Sequence, residues 1–214
     1  MSFLYPMLDA GPSDPADLLA DLARSAQAKS QDSAQARERA LSRLAPELEV
    51  AARAMAGAFA SGGRLFCFGN GGSATDAAGL VALFVSPSTG RSLPARSLAA
   101  DPAVLTALAN DVGVEVVFAR QLLAHGRAGD IALGLSTSGG SANVLRALSE
   151  GRRVGMLTVG LSGYGGGVMR SSPGLQHCLA IDSQSVHRTQ EAQSAVAHAL
   201  WQRVQSCLAT AGTA

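Results

Sequence analysis

Aromatic side chains are scarce in this chain: one Trp, two Tyr and six Phe among 214 residues, 4 % in all, against 47 % hydrophobic. That scarcity excludes a core built on rings. It requires an aliphatic core packed tightly from Ala, Leu and Val, with Gly at close approaches. An excess of one charge is missing too. Lys and Arg number 17, Asp and Glu 16, and the formal net charge is +1. With no basic stripe to track a phosphate backbone, nucleic acid is not an expected partner. Cysteine is limited to Cys67, Cys178 and Cys207, an odd set without metal-ligand spacing. These read as buried, reduced thiols of a cytoplasmic protein rather than a disulfide frame. No apolar run reaches the ~18 residues of a membrane span, so no membrane association is expected. The opening MSFLYPMLDAGPSDPADLL has neither a basic start nor a long apolar stretch and does not read as a signal peptide.

What is present has a clear order. The length suits one domain with a helical appendage. After an irregular start broken by Pro6, Gly11 and Pro12, Ser13 or Asp14 is placed to cap a helix that Pro15 begins over ADLLADLARSAQAK. A second helical run is expected over about 33–60, interrupted at Pro46 and ended by Ser61-Gly62-Gly63. Short apolar runs at 64–70, 95–100, 130–137, 154–162 and 177–182 then alternate with helical segments, and a long helix closes the chain over about 189–208. The alternation predicts an α/β fold: a five-stranded parallel sheet flanked by helices, preceded by N-terminal helices. The expected division is a terminal segment and helix over 1–34 and one domain over 35–210. Ligands of such sheets sit at the carboxyl ends of the strands.

Two strand ends carry the functional signal. The first expected strand runs into Asn70-Gly71-Gly72-Ser73, and the third into Ser136-Thr137-Ser138-Gly139-Gly140-Ser141. The second loop gathers four hydroxyls and two glycines just before a helix start. Unpaired backbone N–H groups and the helix dipole favour an anion there, and hydroxyls add neutral donors. A loop without Lys or Arg suits a monophosphate held by hydrogen bonds. Either loop alone reads as ordinary turn and cap chemistry; two at strand ends of one sheet point to phosphate binding. Neither is a P-loop, since no Gly-Lys-Ser/Thr follows, nor a GxGxxG dinucleotide fingerprint.

The segments GNGGSATDA, LAADPAVLTALAND, GRAGDIALGLSTSGGSANVLRAL, GMLTVGLSGYGGG and RTQEAQSAVAH, taken in order, resemble the sugar isomerase (SIS) domain family, in particular its phosphoheptose isomerase branch. The resemblance implies a single SIS domain with a flavodoxin-like sheet, and a homotetramer with sites at subunit interfaces. It implies that Ser73, Ser136, Thr137, Ser138 and Ser141 hold the phosphate of a phosphorylated sugar beside Gly71. Asn70 and Asp101 would line the sugar, while Gln190 and His198 would reach in from the last helix as candidate catalytic groups. Gln190 and His198 are eight residues apart, a little over two turns, and so project from similar faces. His125, His177 and His187 read as surface or loop positions, and Glu191 as a solvated or ion-paired carboxylate.

One departure from the family pattern changes the expectation. Aldose–ketose isomerisation needs a base to take a carbon-bound proton and an acid to protonate the carbonyl oxygen. In the resembled enzymes the helix after NGGS carries a His and, four residues on, a Glu, which also bind zinc with the Gln and His of the last helix. Here those positions are Gly79 and Leu83. Gln190 and His198 alone are too poor a set for tight zinc, so no metal and no other cofactor is expected. The reading is a phosphosugar-binding protein of the phosphoheptose isomerase type, its ligand like sedoheptulose 7-phosphate, with catalysis called into question. A regulatory role would add a protein partner. The alternative is an active sedoheptulose 7-phosphate isomerase with a relocated base at Asp76, Asp101 or Glu115.

Overall fold

The structure, a computed structural model, describes residues 15–211. Contacts divide the chain into two units, Met1–Gln35 and Ala36–Ala214. In the first, the described residues belong to α1 (Pro15–Arg43), and Leu18, Leu19 and Leu22 are exposed. The capping residues expected at Ser13 and Asp14 lie outside the described residues. Helix α1 runs unbroken through Ser33, where a new helical run was expected. The stretch KSQDSAQ is polar but holds no Gly or Pro, so nothing in it stops a helix. The interruption falls at Leu44, and α2 (Ala45–Ala60) restarts with Pro46 in its first turn, where its missing N–H costs nothing.

The second unit alternates strands and helices: β1 (Leu65–Phe68), α3 (Gly72–Val85), β2 (Ala95–Ser97), α4 (Pro102–Val112), α5 (Val117–His125), β3 (Ile131–Ser136), α6 (Ala142–Arg153), β4 (Leu157–Ser162), α7 (Gly167–Arg170), β5 (His177–Ala180) and α8 (Val186–Ala211). All strand pairs are parallel, in the order β2-β1-β3-β4-β5. This is the flavodoxin-like order, which reverses direction between β1 and β3. His177, expected at the surface or in a loop, lies in β5 and is half-buried; burial pulls its pKa below the ordinary imidazole value.

Strand side chains alternate between two cores, as period two requires. Leu65 and Cys67 face a layer with α2, α3 and α8, including Leu48, Met55, Phe84 and Leu200. Phe66 and Phe68 face the other layer, with Phe118 and Leu148 of α5 and α6. The few aromatics are used in pairs: Phe59–Phe84 and Phe68–Phe118, each with ring centroids 5.4 Å apart. Cys67 is fully buried and Cys178 and Cys207 are half-buried, all three free thiols. The apolar stripe of α8 (Ala192, Val196, Ala199, Leu200) is buried within its own subunit. The periodicity shows which face is apolar, and within the chain that face packs on the sheet layer.

At the N-terminal edge of the sheet, Asp130 is fully buried and locks the starts of β1 and β3 together. It accepts from the Arg64 backbone N–H at 2.8 Å, the Arg64 guanidinium at 2.7 Å and the Arg127 backbone N–H at 3.0 Å. The opposite edge is left to the loops.

Candidate functional site

The loops after β1 and β3 stand side by side, because those strands are hydrogen-bonded neighbours at the point where the sheet order reverses. Chains leaving adjacent strands there diverge to opposite faces and open a crevice. Helices α3 and α6 both begin at its floor.

Neither helix start is capped by a side chain. Gly71, the N-cap of α3 at φ 53°, has none to offer. Ser141, the N-cap of α6, could cap but does not. Its hydroxyl turns instead to Ser136 Oγ at 2.9 Å, and Ser138 Oγ lies 3.5 Å from Ser136 on the other side. Helix α4 is the contrast. Its N-cap Asp101 accepts from the Ala103 and Val104 N–H groups at 2.9 and 3.2 Å. A side-chain cap stabilises a helix by about 0.5–2 kcal/mol, and α6 forgoes it although Ser141 is of the right type. At α6 the first-turn N–H groups are left for another acceptor, whereas at α3 the Ser73 and Ala74 N–H groups donate to the Asn70 and Gly71 carbonyls at 3.0 and 2.9 Å.

The second loop is held from below by backbone. Gly139 adopts φ +66°, and a Cβ there would stand 2.1 Å from the Gly166 carbonyl oxygen. Gly163 N–H donates to Thr137 C=O at 3.0 Å and Met169 N–H to Gly139 C=O at 2.8 Å. Tyr164, at φ 50°, shares this GYGGG turn and is the sole non-Gly residue with positive φ among the described residues. The first loop is covered by α8: a Cβ on Gly72 would stand 2.1 Å from Gln190 Nε2. Glycine is required at Gly139, for its positive φ and its approach to the Gly166 backbone, whereas at Gly72 the neighbour is the flexible end of Gln190.

The structure therefore brings most of the expected residues together. Ser136, Ser138 and Ser141 form one hydroxyl cluster, Thr137 continues their loop, and Ser73 is buried in the first turn of α3. Gln190 lies against Gly72. Asp101 follows β2 on the same edge, but its Oδ1 is engaged as the cap of α4. His198 is exposed on α8, its ring 5.2 Å from that of Trp201. Glu191 is ion-paired with Arg188, as expected of a carboxylate outside the site.

Two features escaped sequence reasoning. Asn143, 6 % exposed in the first turn of α6, exchanges two hydrogen bonds of 2.9 Å with Asn70. Ser194, one turn beyond Gln190, donates to Asp76 Oδ1 at 3.2 Å. Burial pushes the Asp76 carboxyl above its ordinary pKa, against the pull of that hydrogen bond. Gly79 is exposed, and a Cβ on it would meet nothing within 4 Å; Leu83 packs on the core edge.

Fold and crevice together define a class: doubly wound α/β domains whose switch point offers an open helix start with a serine cluster beside a second glycine-rich loop. The SIS domain family profile matches residues 30–163. The chain is similar to the phosphoheptose isomerase of Roseiflexus sp. (strain RS-1), 41 % identical over 174 residues, 80 % of this chain and 87 % of that protein. It is 43 % identical over 178 residues to the phosphoheptose isomerase of Desulfovibrio desulfuricans, covering 82 % of this chain and 83 % of that one. The solved phosphoheptose isomerase from Neisseria gonorrhoeae superposes with a TM-score of 0.81 at 32 % identity, over 86 % of this chain and 99 % of that chain. The chain belongs to the SIS domain family, in its phosphoheptose isomerase branch.

Proposed function

We propose that the chain binds a phosphorylated sugar of the sedoheptulose 7-phosphate kind at the β1/β3 crevice and turns it over slowly or not at all. The observation that carries this is the hydroxyl cluster of Ser136, Ser138 and Ser141 at the start of α6, where the N-cap hydroxyl is spent on Ser136 and the first-turn N–H groups stay open. Ser73, Ser136, Thr137, Ser138 and Ser141 hold the phosphate, Asn70 and Asp101 meet sugar hydroxyls, and Gln190 and His198 approach from α8. The curated relatives are phosphoheptose isomerases, which supports the sugar phosphate as ligand. Slow turnover follows from Gly79 and Leu83, since neither side chain can move a proton and loss of a general base costs about 10²–10⁴ in rate.

Calorimetric titration with sedoheptulose 7-phosphate and related phosphosugars tests the reading. The wild type binds, Ser138→Ala weakens binding by about 0.5–1.5 kcal/mol, the net worth of one hydrogen bond, and the fold is retained. A wild type that binds no phosphosugar overturns it. A second reading, an active isomerase with a relocated base, is favoured by one observation. The half-buried Asp76 carboxyl lies on α3 one turn from Ser73 with its proton affinity raised. Turnover within the ordinary enzymatic range of about 1–10³ s⁻¹, abolished by Asp76→Asn, would establish it.

A further inference from the structure

Asn70 does not meet a ligand alone. Its Nδ2 donates to Asn143 Oδ1 at 2.9 Å, and its Oδ1 accepts from Asn143 Nδ2 at 2.9 Å. The reciprocity fixes both amides, because turning either one over sets oxygen against oxygen and N–H against N–H. Asn143 is buried and Asn70 is exposed, so the anchored member is Asn143 and the presented member is Asn70. Each amide keeps one N–H and one carbonyl lone pair beyond the pair, and those of Asn70 face away from Asn143. The pair also joins the end of β1 to the first turn of α6, the two walls of the crevice. The spacing between the phosphate-holding loop and the Asn70 amide is thereby set before any ligand arrives, which removes an ordering cost from binding.

We propose that Asn143 is a positioning residue. Its side chain touches no ligand, and it orients the Asn70 amide so that a sugar hydroxyl is recognised at a fixed distance from the phosphate. This rests on the phosphosugar reading of the crevice, and it assigns the discrimination between phosphosugar and bare phosphate to the Asn70–Asn143 pair.

The experiment compares inorganic phosphate with sedoheptulose 7-phosphate on wild type, Asn143→Ala, Asn70→Ala and the double variant, by titration calorimetry. Asn143→Ala is expected to lower phosphosugar affinity about three- to tenfold, the worth of one net hydrogen bond, while phosphate affinity stays within about twofold. In the Asn70→Ala background the same substitution is expected to cost nothing further, because coupled residues are non-additive. Asn143→Leu keeps the volume without charge and removes both hydrogen bonds to Asn70, and it is expected to show the same split should the alanine variant fold poorly. Equal losses for both ligands, or a full additional loss in the Asn70→Ala background, would make Asn143 a packing residue and overturn the inference alone. A wild type that binds neither ligand overturns the crevice reading itself, and the inference with it.

Discussion

Asp76 is half-buried on α3, its Oδ1 accepting from Ser194 and its Oδ2 enclosed without a hydrogen-bond partner among the described residues. Desolvation disfavours the charged form and outweighs the serine, so the folded-state pKa lies above the unfolded one. A group raised in this way binds its proton more tightly when folded. Its contribution to stability is complete below the unfolded value and is lost as pH rises through the folded value. Asp76→Asn keeps the acceptor for Ser194 and carries no charge to desolvate. The variant is expected to melt at a higher temperature than wild type near neutral pH, with the gap closing below the ordinary aspartate value of about 4. A wild type more stable than the variant at neutral pH would mean that the carboxylate is held charged by a group the fold supplies, and the desolvation account would fail.

Helix α3 shows what the family pattern loses in this chain. Gly79 is in a helix interior, with ordinary backbone dihedrals and open space where a Cβ would be. Gly79→Ala is therefore expected to stabilise by about 0.5–1 kcal/mol, read as a rise in the denaturant midpoint; destabilisation would show that the bare backbone is needed for close packing. Gly79→His with Leu83→Glu puts two ligands on the α3 flank that Asp76 and Ser194 already set against α8. The double variant is expected to take up zinc and raise turnover, by less than the about 10²–10⁴ of a mature base because supporting groups are not rebuilt. No zinc uptake by metal analysis would separate this face of α3 from Gln190 and His198. The elements themselves were largely legible in the sequence, since strand–helix alternation and glycine-rich strand ends are local signals. The Asp101-Pro102 start of α4 was equally local, and its cap adds a structural role to the sugar contact proposed for Asp101. The Asn70–Asn143 pair was not legible, because its partners are 73 residues apart and only the strand order makes them neighbours.

At the scale of the whole molecule, α3 poses the remaining question of assembly. Its inner face (Ser73, Ala77, Leu80, Phe84) is buried, yet its outer face (Ala78, Gly79, Ala82, Val85) is exposed and carries no charge. A helix apolar on both sides belongs inside something. Beside it on α8, His198 is exposed, and it packs against Trp201, whose buried Nε1 has no hydrogen-bond partner among the described residues. The core has already consumed the apolar stripe of α8, so this flank of α3 and α8 is where a second copy is expected to pack. We expect a homotetramer built as a dimer of dimers, the arrangement in which His198 stands near a subunit boundary. Light scattering at micromolar concentration should give the mass of four chains. Ala82→Arg, a charge on the exposed face that touches no core residue, should lower that mass while leaving the melting of the isolated subunit fold cooperative. A wild type that is monomeric under those conditions would leave His198 with no neighbouring subunit to serve. The crevice would then have to bind its phosphosugar with the residues of one chain, and Ala82→Arg would leave ligand affinity untouched.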